Sequence, residues 1–263
     1  GTAHIIHAFD LQKKEKTTLV EAHNNGHPWN LEVNPDDKML YIAYKGSAEI
    51  GRINPNQGNN QQVEVVVSGL SNAMDVKFDS KGNMYVLCRD ERKVYKYPKG
   101  NFNNASKQTF VHLSNSLGGL YSMDFDAIIG AENDGFYVVT SDGKATKFAG
   151  NGKGSTDGEA GQPLTAQLIQ PVAIVVDKTR GDIYFTDPYN HKVRRIRPGA
   201  KGYEDATIST VAGTGTGGKQ DGDGSVAQLK MPHGLAMSPD GNTLYFTDLD
   251  NYILRKITIT VKD

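Results

Sequence analysis

The feature that most constrains this chain is its internal repetition. Residues 183–196 and 244–257 share seven of fourteen positions, among them the run Tyr-Phe-Thr-Asp, and they lie 61 residues apart. The stretches before them also correspond. An Ala-Gln-Leu triplet stands shortly before Pro171 and again before Pro232, each time after a glycine-rich loop that contains Asp-Gly. A chain that repeats a unit of this size is expected to fold as an array of equivalent units.

Weaker copies extend the repeat towards the N-terminus. They begin at His27, Asn72 and Tyr121, and together with Pro171 and Pro232 the starts are spaced 45, 49, 50 and 61 residues apart. Periods of about 40 to 60 residues, built from short strands and glycine-rich turns, are typical of a β-propeller, whose blades repeat around an axis.

Each copy predicts four strands. In the clearest copy they cover Val172–Asp177, Ile183–Thr186, Lys192–Ile196 and Thr207–Ala212, and the next copy opens with Gly234–Ser238. The segments are short, rich in β-branched and aromatic residues, and separated by Asp-Gly-type turns whose glycines supply positive φ. No window shows a helical period free of strand-forming runs. The predicted fold class is all-β, a propeller of four-stranded blades.

The two ends leave the number of blades open. The N-terminal part opens with two outer-type strands, His4–Phe9 and Lys16–Val20, and the C-terminal part shows three strands that end near residues 258–261. We expect a six-bladed design with an incomplete N-terminal blade. The alternative is a five-bladed propeller in which an N-terminal strand closes the last blade. In either case we expect residues 1–263 to form a single domain.

The strongest copy carries a family resemblance. Asn190–Ile196, following Tyr184–Asp187, resembles the signature of the NHL-repeat β-propellers. The segment before each strong copy, a glycine-rich loop with Asp-Gly followed by Ala-Gln-Leu, is similar to the linker of bacterial members. It is most similar to that of surface or periplasmic proteins whose propeller follows an IPT/TIG immunoglobulin-like domain. The resemblance implies an NHL-type propeller over nearly the whole chain, a periplasmic or cell-surface location, and an adjacent IPT/TIG domain in a longer parent chain. It implies no single activity, because this architecture hosts lyases, lactonases, RNA binders and protein-binding modules.

Charge and composition limit the classes of binding partner that the sequence predicts. The 29 Lys and Arg residues nearly balance the 30 Asp and Glu residues, so bulk charge gives no reason to expect nucleic acid. No apolar stretch approaches the length of about 18 residues that a membrane span needs, and no membrane insertion is predicted. The single cysteine, Cys88, excludes an internal disulfide framework and a CxxC zinc site. We expect it to be a small buried hydrophobe. A basic cluster on one predicted strand alternates between faces and forms no single patch for RNA (Lys192, Arg194, Arg195 and Arg197).

The repeated polar residues favour a structural role. Asp187 ends a second strand, Asn190 follows three residues later, and Arg194 lies on the third strand. The last copy repeats all three as Asp248, Asn251 and Arg255. We expect the Asp and Asn side chains to cap the turn and the arginines to pair with an acidic neighbour, because a binding or catalytic site needs asymmetry between blades.

Two metal-binding hypotheses involve other residues near the strand starts. His27 and His233 each open a first strand, and imidazoles from different blades can share a zinc ion, as the peptide-amidating lyase propellers suggest. A calcium-dependent lactonase would need an acidic and amide set such as Glu32, Asn72 and Asp124. The zinc set lacks a clear third ligand, and the lactonase set matches that family in residue type only. No cofactor is therefore predicted, and calcium or zinc enters only with the alternative of a metal-dependent lactonase or lyase.

The leading hypothesis is a non-catalytic recognition propeller or scaffold. In a propeller, the first strand of every blade begins at one mouth of the central channel, and the turns between second and third strands lie at the same mouth. Ligands usually bind there. We expect this face to bind a protein, peptide or glycan, because aromatic and arginine side chains supply most of the energy in such patches. The candidate ligand-binding residues are His27, Trp29, Asn72, Arg89, Tyr121, Tyr189 and His233.

Overall fold

The computed structural model of the chain describes residues 5–21, 23–24, 26–112, 117–121, 127–131 and 135–260, with only the backbone for 117–121 and 127–131. The described residues divide into two compact units, one up to Leu117 and one from Gly118 onwards. The single domain expected over residues 1–263 stays a prediction.

The first unit contains one hairpin and two antiparallel four-stranded sheets whose strands follow chain order. The hairpin pairs β1 (Ile6–Asp10) with β2 (Glu15–Val20). The next sheet consists of β3 (His27–Val33), β4 (Leu40–Lys45), β5 (Glu49–Ile53) and β6 (Glu64–Val67). The other consists of β7 (Ala73–Phe78), β8 (Met84–Cys88), β9 (Lys93–Tyr97) and β10 (Gln108–His112).

The second unit contains two four-stranded sheets and a three-stranded one, all in chain order. Its first sheet is formed by β11 (Leu117–Tyr121), β12 (Ala127–Ala131), β13 (Gly135–Val139) and β14 (Ala145–Ala149). The second is formed by β15 (Ile174–Val176), β16 (Ile183–Asp187), β17 (Lys192–Gly199) and β18 (Gly202–Ala212). The third is formed by β19 (Pro232–Met237), β20 (Thr243–Asp248) and β21 (Ile253–Thr258).

The all-β prediction is confirmed, with corrections to strand bounds. The strand predicted to begin at Val172 begins at Ile174, because Val172 and Ala173 pair irregularly with Thr186, partly through its hydroxyl. The fourth strand begins at Gly202, earlier than predicted, because β17 continues beyond its predicted end and turns directly into it.

At the N-terminus, β1 begins at Ile6 rather than at His4, which lies outside the described residues. The described strands form four four-stranded sheets, one of three strands and one of two. The number of blades therefore stays a prediction.

Apolar side chains of adjacent sheets pack against each other inside each unit. In the first unit every residue of β8 is buried, and Val76, Tyr41 and Tyr97 pack around it. Cys88 lies in this core with no exposed surface, as expected for a small buried hydrophobe. In the second unit a comparable core surrounds Phe185. Complete burial of one such side chain contributes about 1.5–3 kcal/mol, so these cores are the main stabilising contacts.

A buried ion pair holds the turn that follows the second strand of the β15–β18 sheet. Asp187 ends β16 and is fully buried. Its Oδ2 accepts hydrogen bonds from Asn190 Nδ2 at 2.8 Å and from Arg194 Nη1 at 3.1 Å. The expected turn cap and cross-strand pair are therefore confirmed, and both partners act on the same carboxylate oxygen.

Arg194 also fastens the glycine-rich loop that precedes this sheet. Its side chain has no exposed surface. It donates to the carbonyl oxygens of Gln167 at 2.7 Å and Thr156 at 2.6 Å, and it pairs with Asp157 at 2.8 Å. A planar guanidinium carries five donors in fixed directions, so one side chain can satisfy a strand end and a loop together. We call Asp187, Asn190 and Arg194 with these loop contacts the arginine clamp.

The three-stranded sheet repeats the arginine clamp. Asp248 Oδ2 accepts hydrogen bonds from Asn251 at 2.8 Å and Arg255 at 2.9 Å. Arg255 in turn donates to the carbonyl oxygens of Gln228 at 2.6 Å and Gln220 at 2.9 Å. Recurrence of the contacts at equivalent positions supports the structural interpretation of these residues.

The two clamps predict unequal losses of stability. Arg194→Leu leaves the carboxylate of Asp187 buried without its partner, and we expect the free energy of unfolding to fall by about 3–5 kcal/mol. Arg255→Leu should cost less, because buried Asp248 keeps a backbone donor, the N–H of Lys230, on its other oxygen, and Asp221, the second acidic partner, is 89% exposed and readily solvated. Urea unfolding followed by circular dichroism measures both. An equal loss at the two positions would contradict the assignment of Arg194 as the more buried anchor.

The buried thiol gives a second prediction. Burial raises the pKa of Cys88 to about 12, with a further contribution from nearby Glu91. Because the thiolate is the reactive form, iodoacetamide should label the native protein very slowly at about pH 8, and labelling should stay slow until the pH approaches the raised pKa. In urea the thiol should react as an ordinary cysteine with a pKa of about 8.5. Mass spectrometry measures both rates, and equal rates would contradict the burial of Cys88.

Candidate functional site

The innermost strands of the first unit begin at the same end. Lys77 Nζ on β7 lies 2.7 Å from Glu32 Oε2 on β3, and the two residues are 45 positions apart. The predicted strand starts His27 and Asn72 are separated by the same number of residues. Equivalent repeat positions thus contact each other across the two sheets, which places both strand starts at one end of the unit.

A β-bulge occurs near the start of three innermost strands. The pairing of β3 with β4 skips Trp29, and the pairing of β7 with β8 skips Met74. In the second unit the pairing of β19 with β20 skips His233 and Gly234. A bulge leaves a residue unmatched and re-aims its side chain, which is why bulges are common at the rims of β-structures and beside binding sites. Two sequence-predicted site residues, Trp29 and His233, occupy these positions.

Trp29 is an aromatic platform covered by a positive charge. The indole is partly buried, and Lys45 Nζ lies 4.5 Å from the ring centroid. His27 is exposed and lies opposite Lys45 in the pairing of β3 with β4. An ammonium above an indole face is held by the ring quadrupole, at about 0.5–1 kcal/mol when exposed. One end of this sheet therefore combines an aromatic ring, an imidazole and an ammonium group.

The neighbouring sheet contributes polar groups at the same end. Asn72 stands in the left-handed region with a φ of 55°, and its Nδ2 donates to Asp90 Oδ1 at 2.9 Å. Its carbonyl oxygen accepts from the backbone N–H of Arg89 at 3.1 Å. The side-chain oxygen of Asn72 is buried and has no hydrogen-bond partner among the described residues. An unsatisfied buried acceptor is uncommon in proteins and is an attachment point for a water or ligand donor. We call His27, Trp29, Lys45, Asn72 and Arg89 the first rim.

A second polar group beside the first rim was missed by sequence reasoning. His23 Nε2 lies 3.1 Å from Glu49 Oε2, and the His23 ring stacks at 4.8 Å from that of Tyr44. The hydroxyls of Tyr44 and Ser47 are buried without a hydrogen-bond partner in the described part of the chain. Burial, with the nearby Glu49 charge, raises the pKa of Tyr44 and keeps the phenol protonated. These residues belong to no recognisable motif, and only the fold brings them together.

The opposite end of the first unit holds a groove of about 410 Å³ whose charges are already paired. Arg52 binds both carboxylate oxygens of Glu64, at 2.9 and 2.7 Å, and donates to Tyr41 Oη at 3.2 Å. Lys99 pairs with Asp36 at 2.8 Å. Because these charges already have partners, the groove is a weaker candidate than the first rim.

The second unit carries its own predicted residues. Tyr189 lies in the short 3₁₀ turn Pro188–Asn190 and is 55% exposed. The backbone carbonyl of His233 accepts a hydrogen bond from Thr186 Oγ1 at 2.8 Å, which ties the start of β19 to the end of β16. The side chain of Tyr121 lies outside the described residues, although the residue itself ends β11.

The two metal sets considered from the sequence stay an alternative, because one of them includes Asp124 and the other joins His27 of the first unit with His233 of the second. Glu32 is paired with Lys77, Asn72 with Asp90, and Asp124 lies outside the described residues. Among the residues that the structure describes, no group of three or more His, Cys, Asp or Glu side chains is arranged to hold a metal ion. Within the same residues, no helix combines the length and the apolar composition needed to cross a bilayer.

Comparisons with curated proteins show sequence similarity over part of the chain. No protein-family profile matches it. A 106-residue segment is 36% identical to the chloroplastic protein Suppressor of quenching 1 of Arabidopsis thaliana, and it spans 40% of this chain and 9% of that protein. A 103-residue segment is 29% identical to human NHL repeat-containing protein 2, covering 39% of this chain and 14% of that protein. The chain thus corresponds to a small part of these relatives.

Solved structures match nearly the whole chain at low sequence identity. An auxiliary nutrient binding protein from Bacteroides ovatus aligns over 97% of this chain and 64% of its own, with a TM-score of 0.74 and 17% identity. A chain of a nidogen–laminin complex aligns over 97% and 86%, with a TM-score of 0.71 and 11% identity. A streptogramin B lyase aligns over 99% and 78%, with a TM-score of 0.60 and 13% identity.

The repeats, the meander sheets and these similarities agree on the class of protein. The chain has a β-propeller fold and is similar in sequence to NHL repeat-containing proteins, as the repeat signature predicted. The neighbouring IPT/TIG domain stays a prediction. At these identities the structural matches establish the fold and leave the activity to be argued from the rim itself.

Proposed function

We propose that this chain is a recognition module that binds a protein, peptide or glycan at the first rim. The observation that supports this most is Trp29, a large aromatic residue placed at a β-bulge, partly exposed and flanked by Lys45. The indole packs partly into the sheet and leaves part of its surface accessible, so it is available for a contact beyond the fold. Interfaces gain most of their binding energy from a few aromatic and arginine side chains.

The polar residues of the first rim complement an aromatic platform. His27 is exposed at the strand start, and the unsatisfied oxygen of Asn72 is an acceptor for a ligand hydroxyl or amide N–H. A flat apolar ring with directional polar groups around it suits a sugar ring or an extended peptide, both of which present an apolar face and several donors.

The structural relatives support a binding role in general terms. One is a nutrient binding protein and another comes from a complex with laminin. Together with the resemblance to bacterial surface members, the Bacteroides nutrient binding protein supports a bacterial origin and a periplasmic or cell-surface location. In the second unit, Tyr189 and His233 form the corresponding candidate set, with Tyr189 exposed on its turn.

The single tryptophan makes the proposal testable before the ligand is known. The chain contains one tryptophan, so tryptophan emission, excited where tyrosine does not absorb, reports on Trp29 alone. A panel of glycans and peptides should include compounds that change this emission in a saturable way. For such a compound, Trp29→Ala should weaken binding, measured by calorimetry, by about 30-fold, the ~2 kcal/mol expected of a central interface residue. Tyr189→Ala should lower the affinity for a ligand that binds in the second unit.

Matched variants separate recognition from general damage. Trp29→Phe keeps an aromatic face and should retain part of the affinity. Phe9→Ala removes another exposed aromatic residue, on β1, and should leave binding unchanged. Unchanged affinity in Trp29→Ala would remove the first rim from the site.

The alternative is an enzyme that acts at the strand starts. The streptogramin B lyase among the structural matches supports this alternative. A metal-dependent lactonase or lyase would retain its ion through purification. Under the recognition proposal we expect elemental analysis of protein purified without chelator to find zinc and calcium well below one ion per chain. A stoichiometric ion would favour the enzyme, and a screen of lactone and amide-lyase substrates would follow.

A further inference from the structure

Two sheets of the first unit place a cationic residue at the same position of the first rim. Lys45 and Arg89 each stand one residue beyond the position that Asp187 holds in the β15–β18 sheet. In the second unit the corresponding place is taken by Pro188 and, in the three-stranded sheet, by Leu249. The repeat thus forms with or without a cation at this position, so the requirements of the fold do not explain the two positive charges.

The ammonium group of Lys45 lies against an aromatic ring rather than against a carboxylate. Its Nζ is 4.5 Å from the centroid of the Trp29 ring, and among the described residues it forms no ion pair or hydrogen bond. The Lys45 side chain is also partly buried. A ring quadrupole compensates an ammonium only in part, and a carboxylate holds it more strongly. Lys45 is therefore suited to receive an anionic group.

The carboxylates of the same two turns do not supply that anion. Glu49 Oε2 lies 3.1 Å from His23 Nε2. Asp90 Oδ1 accepts a hydrogen bond from Asn72 Nδ2 at 2.9 Å. Because each of these carboxylates is held by a neighbour other than Lys45, the anion that complements the first rim has to come from the ligand.

Asn72 adds a requirement of the opposite kind. Its side-chain oxygen is buried without a partner in the described part of the chain, so a ligand group that meets it has to be a donor. Asn72 immediately precedes β7, which is tied to β3 by the pair of Lys77 with Glu32. A complementary ligand therefore carries three features: an apolar face for Trp29, an anion, and a hydrogen-bond donor.

One class of sugar carries all three features in a single ring. A hexuronic acid is a pyranose whose axial C–H groups form an apolar face, whose carboxylate is attached to the ring, and whose hydroxyls are donors. A neutral sugar has the face and the donors but lacks the anion. An acidic peptide residue has the anion, but on a flexible stem with no flat apolar face that could cover an indole.

On the basis of the recognition role proposed above, we propose that the first rim selects an acidic glycan, in which a hexuronic acid stacks on Trp29 and pairs its carboxylate with Lys45. Lys45 is the selecting residue because its ammonium covers the ring and has to move aside before a sugar can stack. A carboxylate compensates this movement with an ion pair, whereas a neutral sugar does not. Hydroxyls along the glycan supply the donor for Asn72.

Matched oligosaccharides isolate the contribution of the charge. The probes are the tetramers of galacturonic acid and of mannuronic acid, each with its fully methyl-esterified form, which keeps the sugar ring and removes the anion. Tryptophan emission and calorimetry should show saturable binding of at least one acid, about tenfold tighter than its ester. Raising the salt concentration from about 0.05 to about 0.5 M should weaken the acid several-fold and leave the ester unchanged, because salt screens an accessible ion pair.

A matched pair of lysine variants tests the selecting residue. Lys45→Met removes the charge and keeps a stem of similar length, so it should weaken the acid about tenfold, to the affinity of the ester. The ester should bind as before or more tightly, because no ammonium covers the ring. Lys16→Met removes an exposed lysine on β2, outside the first rim, and should change neither affinity. Thermal melts followed by circular dichroism check that both variants are folded.

The outcomes separate this proposal from the recognition proposal on which it rests. Equal affinity for acid and ester, or an equal loss of both in Lys45→Met, would overturn the selection of an acidic glycan and leave Trp29-dependent binding in place. Tighter binding of tetraglutamate than of either acid would overturn it in favour of an acidic peptide. No saturable binding of either acid at millimolar concentration would also overturn it. Binding of an acid that persists in Trp29→Ala would instead contradict the first rim as the site.

Discussion

The contact between Arg194 and Asp187 is the constraint around which the best-formed sheet is organised. Burying two charges is costly, and hydrogen bonds to their remaining donors and acceptors offset that cost. Arg194 uses its other donors to bond the carbonyl groups of Gln167 and Thr156 in the preceding loop, whereas Asp187 Oδ1 has no hydrogen-bond partner among the described residues. One side chain thereby fixes a strand end and a long loop that contains several glycines. The loop buries Ala166 and Leu168 in the core of the sheet, and Arg194 anchors the polar segment before them.

The two four-stranded sheets of the first unit solve the same packing problem without charge. Strand pairing places Cys88 and Tyr95 at the positions of Asp187 and Arg194 in the β7–β10 sheet. In the β3–β6 sheet these positions hold Tyr44 and Gly51, and a Cβ on Gly51 would approach the Tyr44 ring to 3.1 Å. An ion pair, a thiol beside a phenol, and a phenol above a glycine thus occupy one site in three sheets. Replacement of a buried ion pair by well-packed side chains of similar volume is often neutral or stabilising, which explains how the repeat tolerates all three.

This exchange also explains what sequence reasoning could and could not predict. The copies that keep Asp187 and its clamp are easy to recognise, so strand order, turns and the structural role of the clamp followed from pattern alone. Where the clamp is replaced, as at Tyr44, the similarity fades although the sheet persists. The bulge at Trp29 could not be predicted, because it depends on pairing with β4 rather than on local residue type. The same is true of the contact between His23 and Glu49, whose partners are 26 residues apart and share no motif.

The bulges indicate where recognition can evolve in such a repeat. The backbone irregularity recurs near the start of β3, β7 and β19, so it belongs to the architecture. The residue at the bulge differs each time: Trp29, which is partly exposed, Met74, which is buried, and the pair of His233 with Gly234. Positions that hold a sheet together repeat their chemistry or replace it with packing of similar volume. Positions that the fold re-aims but does not bury are free to diverge, since changing them costs little stability. Divergent side chains at a recurrent β-bulge are therefore the expected location of ligand specificity. For this reason Trp29, rather than the repeated carboxylates, is expected at the centre of the site.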